Sequence, residues 1–207
     1  ELSGVFLFPI AAQALAAVLY LIGLRPDPLR LAQEIGAKRP SGAPVGAADR
    51  SGVRTGIVAV ALSHAMMVAV MSMTPVHLVD HGATLTIVGL TISLHVAGMY
   101  ALSPLWGWLS DRVGRVPVIA TGQAVLLASL AMTSFGAESS GWVVAGLILL
   151  GLGWSASTVA GSALIAESAD PLHRTRVQGR ADLAMSAAGA LGGGLAGPVL
   201  FVIGYAG

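Results

Sequence analysis

Apolar residues in this chain come in runs too long for a soluble fold, separated by polar breaks. Six stretches are nearly free of charge: 5–24, 55–75, 86–107, 117–135, 142–165 and 183–203. A helix that crosses a membrane needs roughly 20 mostly apolar residues, and each stretch is close to that length. None alternates strictly between apolar and polar positions, so the runs predict helices rather than barrel strands. The first gap, 25–54, is long and rich in Pro, Gly and charge, and it reads as a flexible polar linker. The other gaps are short. The pattern predicts an all-α, polytopic membrane bundle in three parts: one transmembrane helix (1–24), the linker (25–54) and five transmembrane helices (55–207).

Composition agrees. The 207 residues are 55% hydrophobic and 10% charged, with a mean hydropathy of +0.81, whereas a soluble domain carries about 25% charged residues. The lipid bilayer is therefore the first partner implied, and a net charge of +1 gives no footprint for nucleic acid. The absence of cysteine excludes disulfides, thiolate metal sites and cysteine nucleophiles. No basic run precedes an apolar core in the manner of a signal peptide. Both ends, "ELSGVFLF" and "FVIGYAG", stop abruptly in apolar sequence, which predicts a piece of a longer protein.

The placement of charge orients the bundle. Arg25, Arg30, Lys38, Arg39, Arg50 and Arg54 fall in the first gap, Arg112 and Arg115 in the third, and Arg174, Arg176 and Arg180 in the fifth, which accounts for all eleven basic residues. The intervening gaps carry Asp80, Glu138, His77 and His81. By the positive-inside rule the basic loops are cytoplasmic in a multi-pass protein of the cell (plasma or inner) membrane. The His77–Asp80–His81 group reads as solvated outer-loop polarity, and no metal site is assigned.

One stretch interrupts the oily pattern more sharply than a turn requires: "GWLSDRVGR", residues 107–115. Gly114 suits a left-handed position past a helix end, Pro117 suits the first turn of the next helix, and Gly107 admits a close backbone neighbour. An acid between two arginines on that frame needs a further reason. The stretch resembles the signature loop of the major facilitator superfamily: Gly, three residues, Asp-Arg, one residue, Gly-Arg. It departs at Val116, where the family often adds another basic residue. A long linker after the first span, with the signature two spans later, resembles helices six to eleven of that fold. On this reading the chain is a partial carboxy-terminal half. "ADPLHRTRVQG", residues 169–179, is similar to the family's loop between helices ten and eleven.

The resemblance implies a secondary transporter moving a small solute by alternating access, of the drug or metabolite exporter kind. Protons are a candidate coupling partner, as in an antiporter, and no cofactor is implied. The direction of transport stays open. It also implies a gate latch built from Gly107, Asp111, Arg112, Gly114 and Arg115. Asp111 would dock on a helix amino terminus of the other half, and Arg112 and Arg115 would meet Glu167. The first and fourth helices of the half would line the cavity, here the second and fifth spans.

On those spans His64, Met67, Met71 and Thr74 share one helical face, and Gly151, Ser155, Thr158 and Ser162 share another beside Trp154. The cavity candidates are His64, Met67, Met71, Trp154, Ser155 and Thr158, with His95 as a second mid-membrane titratable group. Gap-filling methionines and small-residue helix packing are the competing readings. Gly189, Gly193 and Gly197, four apart in "GALGGGLAG", read as a packing face. No acidic residue lies at mid-membrane depth. The alternatives in another class, a non-transporting sensor or a membrane enzyme on the same fold, lack support. HExxH, GxSxG, a Walker lysine and paired intramembrane carboxylates are all absent from the sequence.

Overall fold

The computed structural model describes residues 3–25, 30–31, 34, 49–171 and 173–203. It divides into two units, Glu1–Val45 and Gly46–Gly207. In the first unit α1 spans Ser3–Gly23, and Arg25 Nε returns to the carbonyl of Leu21 at 3.2 Å. This basic side chain satisfies one of the acceptors that every helix end leaves open. Most of the expected linker lies outside the described residues.

The second unit is a helical bundle: α2 (Arg50–Asp80), α3 (Leu85–Tyr100), α4 (Ser103–Val113), α5 (Arg115–Phe135), α6 (Ser140–Ser168) and α7 (Arg174–Ile203). Four stretches of the described residues are long and apolar enough to cross a membrane: Arg50–Asp80, Leu85–Val113, Arg115–Phe135 and Ser140–Ser168. The other two expected spans are helical but weaker. The apolar part of α1, Leu7–Gly23, is shorter, and the glycines and polar first turns of α7 dilute its apolarity.

Three boundaries differ from the hydropathy pattern, each for a local reason. First, α2 begins at Arg50, inside the expected linker, because Asp49 caps it. The Asp49 carboxylate accepts the amide of Ser51 at 2.9 Å, and its own amide donates to Ser168 O at 3.0 Å. Second, α7 begins at Arg174, ahead of the apolar run, so the basic residues of that loop sit on helix. Third, the expected span 86–107 is two helices that break at Ala101–Leu102. Pro104 has no amide to give Tyr100 O and disfavours helical backbone at the residue before it. At the same break Ser103 Oγ donates to the neighbouring carbonyl, Met99 O, at 3.2 Å.

The hub is α6. Of its apolar window 61% is buried, against 28–33% for the other three spans. With little hydrophobic drive between helices in lipid, close approach depends on small residues. A Cβ on Gly153 would lie 2.8 Å from Gly122 O of α5, and one on Gly98 would lie 3.0 Å from Ile148 O. On α2 a Cβ at Gly56 would lie 2.9 Å from Gly161 O. Thus α6 meets α5, α3 and α2 nearly backbone to backbone. Against α2, α7 uses Gly189, Gly192 and Gly193, whereas the position of a Cβ on Gly197 has nothing within 4 Å. The expected face of residues four apart is therefore corrected to an i, i+3, i+4 face, the spacing that keeps one side of a straight helix turned to its neighbour.

Candidate functional site

The end of the bundle that carries "GWLSDRVGR" is tied together by Arg115, the first residue of α5. Its Nη1 donates to Ser110 Oγ and to Asp111 Oδ1, each at 2.5 Å, from the end of α4. Its Nε donates to both carboxylate oxygens of Glu167 at 3.1 Å, and Nη2 donates to Glu167 Oε1 as well. One guanidinium thus joins the ends of α4 and α6, using the planar fork that lysine lacks. Gly114 makes the geometry possible. At φ 97° and ψ 160° it adopts a conformation essentially reserved for glycine, turning the chain so that Arg115 folds back over Asp111.

Two expected latch residues sit differently. Arg112 does not reach Glu167; its guanidinium lies 4.6 Å from the ring centre of Trp108, four residues earlier on the same helix. A helix turn places those positions together, and the ring face attracts the cation. At Gly107 the nearest neighbour to a Cβ is Val159 Cγ1 at 4.0 Å, so no backbone approaches it among the described residues.

The cavity candidates separate into two groups. His64, at the middle of α2, is half-buried, and Trp154 Nε1 of α6 donates to its Nδ1 at 3.2 Å. Indole nitrogen only donates, so Nδ1 is the acceptor and the proton of the neutral ring resides on Nε2. Gly189 of α7 makes room for that edge: a Cβ there would fall 2.9 Å from His64 Nε2. Tyr100 meets Trp154 edge-on, with ring centres 6.2 Å apart. Met71 is half-buried on the same helix as His64.

The second group lies in the interior. Met67, 8% exposed, packs with Met99, Leu126, Leu150 and Trp154. Ser155, 1% exposed, faces Ser103 of α4 at 3.3 Å. Thr158 is half-buried, and its Oγ1 is enclosed with no partner among the described residues. His95, 1% exposed, sits in the seam between α3 and α6, where Nδ1 donates to Leu147 O at 2.8 Å. Met67, Ser155 and His95 therefore do not line an open surface. Of the small-residue stripe of α6, Gly151 and Ser155 are buried against other helices, and Thr158 and Ser162 are half-buried.

Sequence reasoning missed Gln123. It projects from α5 and donates through Nε2 to Ser63 Oγ of α2 at 2.8 Å and Ser157 Oγ of α6 at 3.3 Å, knotting three helices. A lone amide in an apolar run was the available signal. At the opposite end His77 Nε2 meets Ala137 O at 2.9 Å, and His81 stacks on His77 with ring centres 4.1 Å apart. The second ring covers the first, and His77 ties α2 to the loop between α5 and α6.

A model of the Major Facilitator Superfamily matches residues 55–207. The chain belongs to that superfamily. It is 39% identical to the uncharacterized MFS-type transporter YddS of Bacillus subtilis over 97% of this chain and 48% of that protein. It is 32% identical to the riboflavin transporter RfnT of Brucella anthropi over 69% of this chain and 36% of that protein. It is 36% identical to the multidrug resistance protein MdtM of Escherichia coli K12 over 32% of this chain and 16% of that protein. The chain spans about half the length of the first of these relatives. Members of the superfamily are transporters, and this chain is a partial major facilitator bundle of a multi-pass membrane protein. Within it the Arg115 clamp is the structural content of the signature stretch.

Proposed function

We propose that the whole protein is a secondary transporter that moves a small solute across the cell membrane by alternating access, with this chain supplying most of its carboxy-terminal half. The observation that carries the reading is the Arg115 clamp in a superfamily bundle, a polar tie at one end. Exposed ion pairs of this kind contribute about 0.2–1 kcal/mol each, small enough to form and break within a cycle. The riboflavin and multidrug relatives support an organic solute.

His64 is the proposed contact for substrate or proton. Protonation would place N–H on both ring nitrogens and remove the acceptor that Trp154 uses. A proton arriving on His64 therefore has to release the indole, which couples charge to the α2–α6 contact. Flux of candidate solutes in proteoliposomes of the full-length protein tests both levels. One proton moved down one pH unit supplies about 1.4 kcal/mol, a tenfold accumulation ratio at most. His64→Gln keeps an acceptor for Trp154 but does not titrate. It is expected to exchange solute while losing acceleration by a pH gradient. Absence of flux for every solute in the wild type favours the sensor reading, and an unchanged gradient response in the variant removes His64 as the proton carrier.

The basic end is proposed to face the cytoplasm. This sequence has no native cysteine, and His173 and Ser139 are exposed at opposite ends of the bundle. A cysteine at position 173 is expected to react only with reagent admitted to the cytoplasm, and one at 139 with reagent outside intact cells. The reverse pattern inverts the orientation.

A further inference from the structure

At the clamp end of the bundle a cavity of about 570 Å³ opens between the start of α2, the α6–α7 connection and the start of α7. Arg50 and Arg54 of α2 and Arg180 of α7 stand around it. These three guanidiniums make no ion pair or hydrogen bond to any described residue, in contrast to Arg115, which is fully engaged. The cavity's acid, Asp170, meets the ring of His173 at 3.2 Å. Among the arginines the wall is apolar: Val53, Ile57 and Val177 are half-buried, and Val58 is 49% exposed. On α2, Val53, Ile57 and Val58 follow Arg50 and Arg54 three or four positions on, and on α7 Val177 precedes Arg180 by three, so arginines and apolar residues share one groove.

We propose that this groove binds an anionic phospholipid, its phosphate held by Arg50, Arg54 and Arg180 and its acyl chain laid along Val53, Ile57, Val58 and Val177. The ligand chemistry follows from the wall. Unpaired guanidiniums take a phosphate oxygen pair in fork geometry. A soluble anion would use the rim and leave the valines and isoleucine uncovered, whereas a lipid covers both. The site also lies where a headgroup would be found, at the ends of apolar helices in a zone of basic residues, and such residues attract anionic headgroups.

The test uses the full-length protein in detergent, with retained lipid measured by native mass spectrometry after exposure to phosphatidylglycerol or phosphatidylcholine. The wild type is expected to retain phosphatidylglycerol preferentially. The double variant Arg54→Gln/Arg180→Gln is expected to lose that retention by about thirtyfold, the effect of two removed cations near a headgroup at about 1 kcal/mol each. It should keep its size-exclusion profile, because neither side chain bonds to another described residue. The charge-matched Arg174→Gln/Arg176→Gln, outside the cavity lining, is the control. Equal loss in the control assigns retention to the general basic field and overturns the groove. Thermal protection by inorganic phosphate alone, with no preference between the lipids, assigns the arginines to a soluble anion and overturns the lipid. Unchanged retention in the double variant overturns both.

Discussion

Arg115→Ala in the full-length protein is expected to insert normally and to lose about tenfold in solute flux. Insertion survives because the cost to stability is small. The side chains of Asp111 and Glu167 are 66% and 55% exposed, so each pair contributes at most about 1 kcal/mol. The core beneath the clamp, Val118, Ile119, Ala156 and Ala160 among others, does not involve Arg115. On the proposed alternating-access reading, flux should suffer because the same small energy would separate two states of one end of the bundle. Without the cation, Asp111 and Glu167 face each other as like charges, and a change of about 1.4 kcal/mol alters the ratio of closed to open by ten. Arg115→Lys keeps the charge but cannot serve Ser110, Asp111 and Glu167 with one planar fork, so it should fall between the two. Wild-type flux in Arg115→Ala, measured at matched insertion, removes the clamp from the transport cycle.

The largest effect on folding is expected at Gly153. A Cβ there meets Gly122 O at 2.8 Å and Leu126 N and Cγ at 2.9 Å. Two of these three are backbone atoms with no rotamer to give. The α5–α6 pair must separate to admit valine, which also pulls Ser129 Oγ from Gly146 O, now 2.7 Å away. Overpacking a close-packed seam costs about 1–3 kcal/mol even where side chains can yield. Gly153→Val is therefore expected to abolish a monodisperse peak in size-exclusion chromatography. Gly194→Ala and Gly197→Ala, whose Cβ positions have nothing within 4 Å, should elute as the wild type does. A well-behaved Gly153→Val protein with an unchanged melting temperature refutes the account of the seam.

Apolar run lengths were enough to place the helices of the second unit, because in lipid each crossing segment must satisfy its own backbone and little else decides its extent. They were not enough to place the ends. Asp49 extends α2 into polar sequence through a cap, and Pro104 cuts the third span inside apolar sequence through a missing amide. Neither event changes hydropathy. The signature stretch sent Arg112 and Arg115 to Glu167 and Asp111 to a helix of the other half; here Arg115 meets Glu167 and also Asp111, while Arg112, with the same charge, turned to Trp108. Motif spacing fixes which positions share a helix face but not which neighbour wins a long side chain. The cavity candidates divided along the same line. A stripe such as Ser155 and Thr158 looks alike whether it faces water or another helix. His64 is half-buried, and its partners, Trp154 and Gly189, come from two other helices that periodicity on α2 does not report.

The break at Ala101–Leu102 has a consequence for biogenesis. Insertion machinery weighs the summed transfer energy of a segment, and by that measure Leu85–Val113 is one continuous 29-residue candidate. A straight rod of that length would measure about 44 Å, well beyond the roughly 30 Å of hydrocarbon. The break divides it into a 16-residue rod and an 11-residue strut. The strut measures about 16 Å and brings Asp111 to Arg115 at its tip. A single proline is thus silent to the step that threads the chain into the membrane and decisive for where its charged tip comes to rest.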